Sequence, residues 1–131
     1  MVMVSKPYCE NVVELLEWFE TSEFFILVLE RPEYCMDLYK YCRLRDGKLS
    51  ELESRFIMKQ VVKAARHCCD RGVFHRDIKP ENILIDTGSL EVKLIDFGCG
   101  DLLKDEVYTT YIGQFTYRDD PVQDVVENGV F

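Results

Sequence analysis

The 131-residue chain has no apolar run long enough to cross a membrane as a helix, and its first ten residues, MVMVSKPYCE, hold neither a long apolar core nor a small-residue cleavage site. Neither a secretion signal nor a membrane segment is expected. Basic residues are scarce: 16 Lys and Arg stand against 24 Asp and Glu, a formal net charge of −8. That balance argues against a general nucleic-acid surface, which needs Lys and Arg stripes to displace phosphate counterions. An anionic ligand must then be held locally. The six cysteines (Cys9, Cys35, Cys42, Cys68, Cys69, Cys99) are scattered and never reach a CxxC pair, so reduced thiols are expected rather than a disulfide frame or a zinc–thiolate site. Low-complexity tracts, repeats and linkers are missing too. With 47% hydrophobic and 31% charged residues, the composition fits one globular domain or one lobe of something larger.

Residues 11–30, NVVELLEWFETSEFFILVLE, hold two apolar runs separated by Thr21-Ser22-Glu23. The first fits either a strand or one helical face through Val12, Leu15, Leu16 and Phe19. The second, Phe24 to Leu29, is short, aromatic and branched, as strands are. A two-strand hairpin is expected, stopped at Arg31-Pro32 because proline has no N–H for the ladder. A short helix is expected from Met36 to about Arg43, followed by a turn at Arg45-Asp46-Gly47. The clearest helix comes next. Ser50 and Glu53 form a capping box, Leu52, Phe56, Ile57, Val61, Ala64, Ala65 and Cys68 recur at three- and four-residue spacing, and Gly72 ends the run. Trp18, Phe19, Phe24 and Phe25 are expected in the core, and Glu10, Glu14, Glu17, Glu20 and Glu23 on a solvated face.

Val73 to Asp86 reads VFHRDIKPENILID, a dense polar cluster between two short β-type runs. Such a loop, held at both ends, can bring polar groups together on a ligand. Asp77, Lys79 and Asn82 sit at offsets 0, 2 and 5, and Asp96-Phe97-Gly98 follows a strand at Val92 to Ile95 that a turn at Asp86-Thr87-Gly88-Ser89 folds back. Two oxygen ligands from different loops, Asn82 and Asp96, suit Mg²⁺, which fills its other positions with water and phosphate oxygens. Asp77 is then free to accept a hydroxyl proton, and Lys79 to offset charge on a transferring phosphoryl group. For each residue alone, ordinary turn chemistry or a surface charge is the competing reading. The joint spacing sets it aside.

HRDIKPEN together with DFG resembles the catalytic and magnesium loops of eukaryotic protein kinases, with Lys79 two residues after the Asp as in the serine/threonine form. WFE, LVLERPE, HRDIKPENILID, VKLIDFG and LLKDEVYT extend the resemblance to the Pim-type serine/threonine kinases over roughly residues 11–113. The resemblance implies an α+β, partial protein-kinase-like fold. Residues 11–30 would be upper-lobe strands, 30–37 the hinge, 38–113 the lower lobe with both loops, and 114–131 a divergent tail. It implies ATP and Mg²⁺ as cofactors and transfer of the γ-phosphate to protein Ser or Thr hydroxyls. Asp77 and Lys79 would be catalytic, and Asn82 and Asp96 the metal ligands. Around the nucleotide, Glu30 would offer its carbonyl to the adenine amino group, Asp37 would reach the ribose, and Leu84 with Ile95 would floor the base. Pro32 would remove one hinge hydrogen bond. His75 would brace the loop, and Arg76 would meet an acidic or phosphorylated activation segment holding Tyr108, Thr109, Thr110 and Tyr111.

The pattern departs from that family at both ends. A Gly-rich loop, a strand lysine and its helix glutamate would precede residue 11, and none is found in residues 1–10. Gln114 follows Gly113, and Arg118-Asp119-Asp120-Pro121 stands where a Pro-Glu anchor would be. The expectation is therefore a truncated kinase chain, from a partial gene model, a splice product or a degraded duplicate, with uncovered apolar surface on the 51–70 helix. A non-catalytic, pseudokinase-like interaction module and a non-functional fragment are the alternatives. Expected partners are protein or peptide substrates, with the acidic bias favouring basic ones. The cytoplasm is the expected location, with the nucleus as a second compartment.

Overall fold

The computed structural model describes residues 1–104 and residue 108. The expectations for Thr109, Thr110, Tyr111 and the 114–131 tail lie outside the described residues. The chain begins with a short helix, α1 (Val2–Ser5), and then an antiparallel hairpin of β1 (Leu15–Glu20) and β2 (Phe25–Leu29). The ambiguous first apolar run is thus a strand. Its partner settled the matter, since Thr21 closes a tight turn in which its Oγ1 accepts the Phe24 N–H at 2.8 Å.

β3 (Cys35–Asp37) leads straight into α2 (Leu38–Arg43), so Met36 belongs to a strand rather than to the helix. Asp37 caps that helix by accepting the Lys40 N–H at 2.8 Å. After the turn, where Asp46 and Gly47 both take positive φ, α3 runs from Glu51 to Asp70. Its capping box is complete: Ser50 Oγ accepts the Glu53 N–H, and Glu53 accepts the Ser50 N–H. Gly72 follows at φ +71°, a conformation that costs other residues their Cβ clearance.

Beyond α3 come β4 (Val73–Phe74), a single 3-10 turn at Pro80–Asn82, β5 (Ile83–Asp86), β6 (Val92–Leu94) and β7 (Asp101–Leu102). β5 is the centre of an antiparallel sheet in the order β3-β5-β6, and β4 pairs with β7. The β5–β6 turn is tied by Asp86, whose Oδ1 accepts the Gly88 and Ser89 N–H groups at 2.8 Å each. One core joins these elements. Ile57, Val61, Ala64 and Cys68, one stripe of α3, pack with Ile83, Ile85, Val92 and Leu94 of the sheet and with Val4 of α1. Each fully buried aliphatic side chain contributes about 1.5–3 kcal/mol. All six cysteines are free thiols, and burial pushes the Cys68 thiol up to about 11.

One expectation about burial needs correction. Trp18, Phe19, Phe24 and Phe25 do not enter the core: they are 50%, 47%, 67% and 68% exposed. The hairpin is two strands wide, and nothing among the described residues stacks on most of its surface. On α3, Leu52 and Phe56 are exposed as the uncovered apolar surface expected there, since only the Ile57–Cys68 stripe faces the sheet.

Candidate active site

The polar loop between Val73 and Ile83 is clamped at its ends, by the β4–β7 pairing on one side and by β5 at the centre of its sheet on the other. His75 is buried within it. Its Nε2 lies 2.9 Å from the Ile95 carbonyl, and its Nδ1 accepts the Asp77 N–H at 3.2 Å. One ring nitrogen must donate and the other accept, which is the neutral imidazole. Burial lowers the His75 pKa accordingly, against the pull of the Ile95 carbonyl and of the Asp77 and Asp96 charges. The Phe97 ring meets it edge-on at 4.7 Å between centroids. His75 thereby braces one loop against the other.

Arg76 adopts φ +64°, an uncommon conformation for a side chain of its size, costing about 1–3 kcal/mol. Its own contacts hold it there: Nε donates to the Cys99 carbonyl at 2.6 Å, and the guanidinium lies 3.5 Å from Asp101. The arginine therefore meets an acidic residue in the segment after Asp96-Phe97-Gly98. The turn beyond it delivers three side chains together. Asp77 Oδ2 accepts from Asn82 Nδ2 at 2.9 Å and lies 2.9 Å from Lys79 Nζ, while the same Asn82 nitrogen donates to the Asp77 carbonyl. The Asp77 contact raises the Lys79 pKa, and the charges of Glu81 and Asp96 act in the same direction. The ammonium is kept charged.

Asp96 arrives from the end of β6. The Ile95 N–H donates to the Asn82 carbonyl at 2.9 Å, so the two turns are stitched together by backbone. Asp96 takes φ +58°, and its Oδ1 accepts the Gly98 N–H at 3.1 Å. A Cβ on residue 98 would lie 3.0 Å from that oxygen, which is why glycine suits the position. The Asp96 charge pulls the pKa values of Lys79 and His75 upward, a pull that burial outweighs at His75.

A cavity of about 620 Å³ opens beside Asp96, within the range of small-molecule sites. Glu30, Asp37, Leu84 and Ile95 all line it, together with Val13 and Leu29. The four residues expected around a nucleotide thus share one cavity with one of the two expected metal ligands. Two of their side chains are already engaged. Asp37 holds the α2 N-terminus and pairs with the Lys40 ammonium at 3.0 Å; burial opposes its ionisation, but the Lys40 contacts prevail and lower its pKa. Glu30 Oε1 accepts the Glu14 N–H at 2.8 Å and pairs with Lys93 at 2.7 Å. Lys93 went unread in the sequence, although a lysine between the buried Val92 and Leu94 marks an outward strand position. α1 was also missed, because a four-residue helix carries too little periodicity.

No trio of His, Cys, Asp or Glu placed to hold a metal occurs among the described residues. Magnesium needs no such trio when phosphate and water complete its shell. With the Asn82 nitrogen committed to Asp77, the amide oxygen remains as a hard donor, and with the Asp96 carboxylate it makes a fitting pair. No helix among the described residues is long and apolar enough to span a membrane.

The protein kinase domain family matches residues 1–121. Serine/threonine-protein kinase pim-2 of Danio rerio is 41% identical over 114 residues, covering 86% of this chain and 36% of that protein. Serine/threonine-protein kinase prk-2 of Caenorhabditis elegans is 38% identical over 107 residues, 82% of this chain and 24% of its own length. Serine/threonine-protein kinase PSK1 of Saccharomyces cerevisiae is 33% identical over 121 residues, 89% of this chain and 9% of its own. The chain spans about a third or less of the length of these relatives. The matched residues run through the hairpin, the clamped polar loop and the Asp96 turn, and on that ground the chain belongs to the protein kinase domain family.

Proposed function

We propose that this chain carries the cleft of a serine/threonine protein kinase, in which a nucleotide lies in the cavity beside Asp96 and its terminal phosphate reaches the Asp77 turn. One observation carries the reading: Lys79 and Asn82 both contact the Asp77 carboxylate, and the Ile95 N–H ties Asn82 by backbone to the turn that carries Asp96 at the cavity's edge. ATP with Mg²⁺ would supply the transferable phosphoryl group and the charge that bridges it. Asn82 and Asp96 would hold the cation. Asp77 accepts the proton of a serine or threonine hydroxyl, and its two contacts point the carboxylate while doing so. Lys79 lies beside the transferring group, where a fixed positive charge counts most. Leu84 and Ile95 cover the base, and the Glu30 carbonyl accepts from its amino group. Peptides with Arg or Lys near the acceptor suit a chain of net charge −8.

The exposed hairpin favours a second reading. Apolar surface of that extent fits a chain that binds a protein partner without transferring phosphate. Both readings are separated by measuring Mg·ATP binding and ³²P transfer to an arginine-rich peptide with the purified 131-residue chain. Saturating Mg·ATP should raise the melting temperature, and Asp96→Asn should abolish the rise. Transfer should fall about 10²–10⁴-fold in Asp77→Asn. Binding without transfer would favour the interaction module, and the absence of any nucleotide effect on melting would overturn the cleft assignment.

A further inference from the structure

We propose that Lys93 is a positioning residue for adenine, acting through Glu30; the inference rests on the nucleotide reading above. Lys93 sits on β6 between Val92 and Leu94, which are 1% and 2% exposed, so its side chain leaves the sheet on the opposite face. There its ammonium meets Glu30 at 2.7 Å. The same Glu30 oxygen accepts the Glu14 N–H at 2.8 Å, and the Glu30 N–H donates to the Glu14 carbonyl at 3.0 Å. Residue 30 is therefore held at three points just where β2 ends and the connection to β3 begins. Glu30 lines the cavity, and with its side chain drawn toward Glu14 and Lys93 its main chain would be what it offers for recognition.

Lys93 itself lines the neighbouring cavity with Tyr8 and Pro32 rather than the one beside Asp96. It reaches the base only through Glu30. Both charged side chains are largely buried, at 15% and 23% exposure, so removing one leaves the other poorly solvated and drives it to seek water. Tyr8 adds a second hold on the ammonium, with its ring centroid 5.5 Å away and its hydroxyl at 3.4 Å. Loss of Lys93 should release the Glu30 side chain, and the carbonyl aimed at the adenine amino group should turn with it.

The consequence is specific to that amino group, and the test uses a base that lacks it. Calorimetric Kd values for Mg·ATP and for Mg·inosine triphosphate, which carries a 6-oxo group instead, are compared in the wild type, Lys93→Met and Lys93→Arg. Lys93→Met should weaken ATP about five- to tenfold, the worth of one hydrogen bond, and leave inosine triphosphate almost unchanged. Lys93→Arg should keep the wild-type preference. Should Lys93→Met not fold, Glu30→Gln removes the charge but keeps an acceptor for the Glu14 N–H, and the same loss of preference is expected. Equal weakening of both nucleotides, or none of either, would overturn the role of Lys93 alone. A wild type that binds neither would overturn the nucleotide reading and this inference together.

Discussion

The β1–β2 hairpin and the β3-β5-β6 sheet are built from similar residues and meet opposite fates. Phe25-Ile26-Leu27-Val28-Leu29 is apolar throughout, yet each residue is 38–68% exposed. Ile83-Leu84-Ile85 is no more apolar, yet Ile83 and Ile85 are 5% and 0% exposed. The difference lies in what stands opposite. α3 presents Ile57, Val61, Ala64 and Cys68 to the sheet, whereas the hairpin meets α1 and the Asp96–Gly98 turn across a cavity of about 560 Å³. Hydrophobicity states a strand's demand for cover, and only neighbouring elements meet it.

That contrast can be broken at its strong end first. Ile85→Ala should cost about 2–5 kcal/mol in urea unfolding, because the site is enclosed and cannot collapse fully around the void. A loss below the range for a single exposed substitution would mean that the sheet is not the stabilising half.

Acid should act on the same half more gently. His75 is neutral in its buried position and its pKa is lowered, so the unfolded chain takes up the proton first as pH falls. Its contribution is complete above the ordinary imidazole range, near pH 6.5, and is lost progressively as pH drops through that range toward the folded value. The carboxylates with lowered pKa values, such as Asp37 and Asp86, add their own loss only in more acidic solution. Urea midpoints between pH 8 and 5, paired with NMR titration of the His75 ring, should show the decline. A flat profile with His75 titrating as a free imidazole would contradict its burial.

The smallest effect belongs to the hairpin. Phe25→Ser should change unfolding stability by no more than about 0.5 kcal/mol while lowering light scattering by the concentrated protein. If it destabilised the chain as Ile85→Ala does, the two regions would not differ in solution and the comparison would fail.

Local signals carried much of this structure. The capping box at Ser50 and Glu53, the positive φ at Gly72, the Asp86 turn and the hairpin about Thr21 each depend on residues within a few positions of one another. The polar loop was legible for the same reason, since Asp77, Lys79 and Asn82 lie within six residues and the Asp77 carboxylate contacts both of the others. Burial was less legible. The aromatic cluster at 18–25 has the composition of a core, and no local pattern could tell whether another layer would reach it. The engaged state of Glu30 was also hidden, because its partner lies 63 residues away at Lys93.

By itself the amino-acid sequence determined the type and ends of α3, and the grouping of an acid, an ammonium and an amide on one turn, because those are short-range matters of backbone geometry and spacing. Tertiary structure decided which apolar faces are covered, that Asp96 is stitched to Asn82 through Ile95, and that Lys93 holds the Glu30 side chain beside the cavity. Those contacts join segments far apart in the chain, and their formation depends on how α3 and the sheet pack, a cooperative outcome that no single stretch of residues contains.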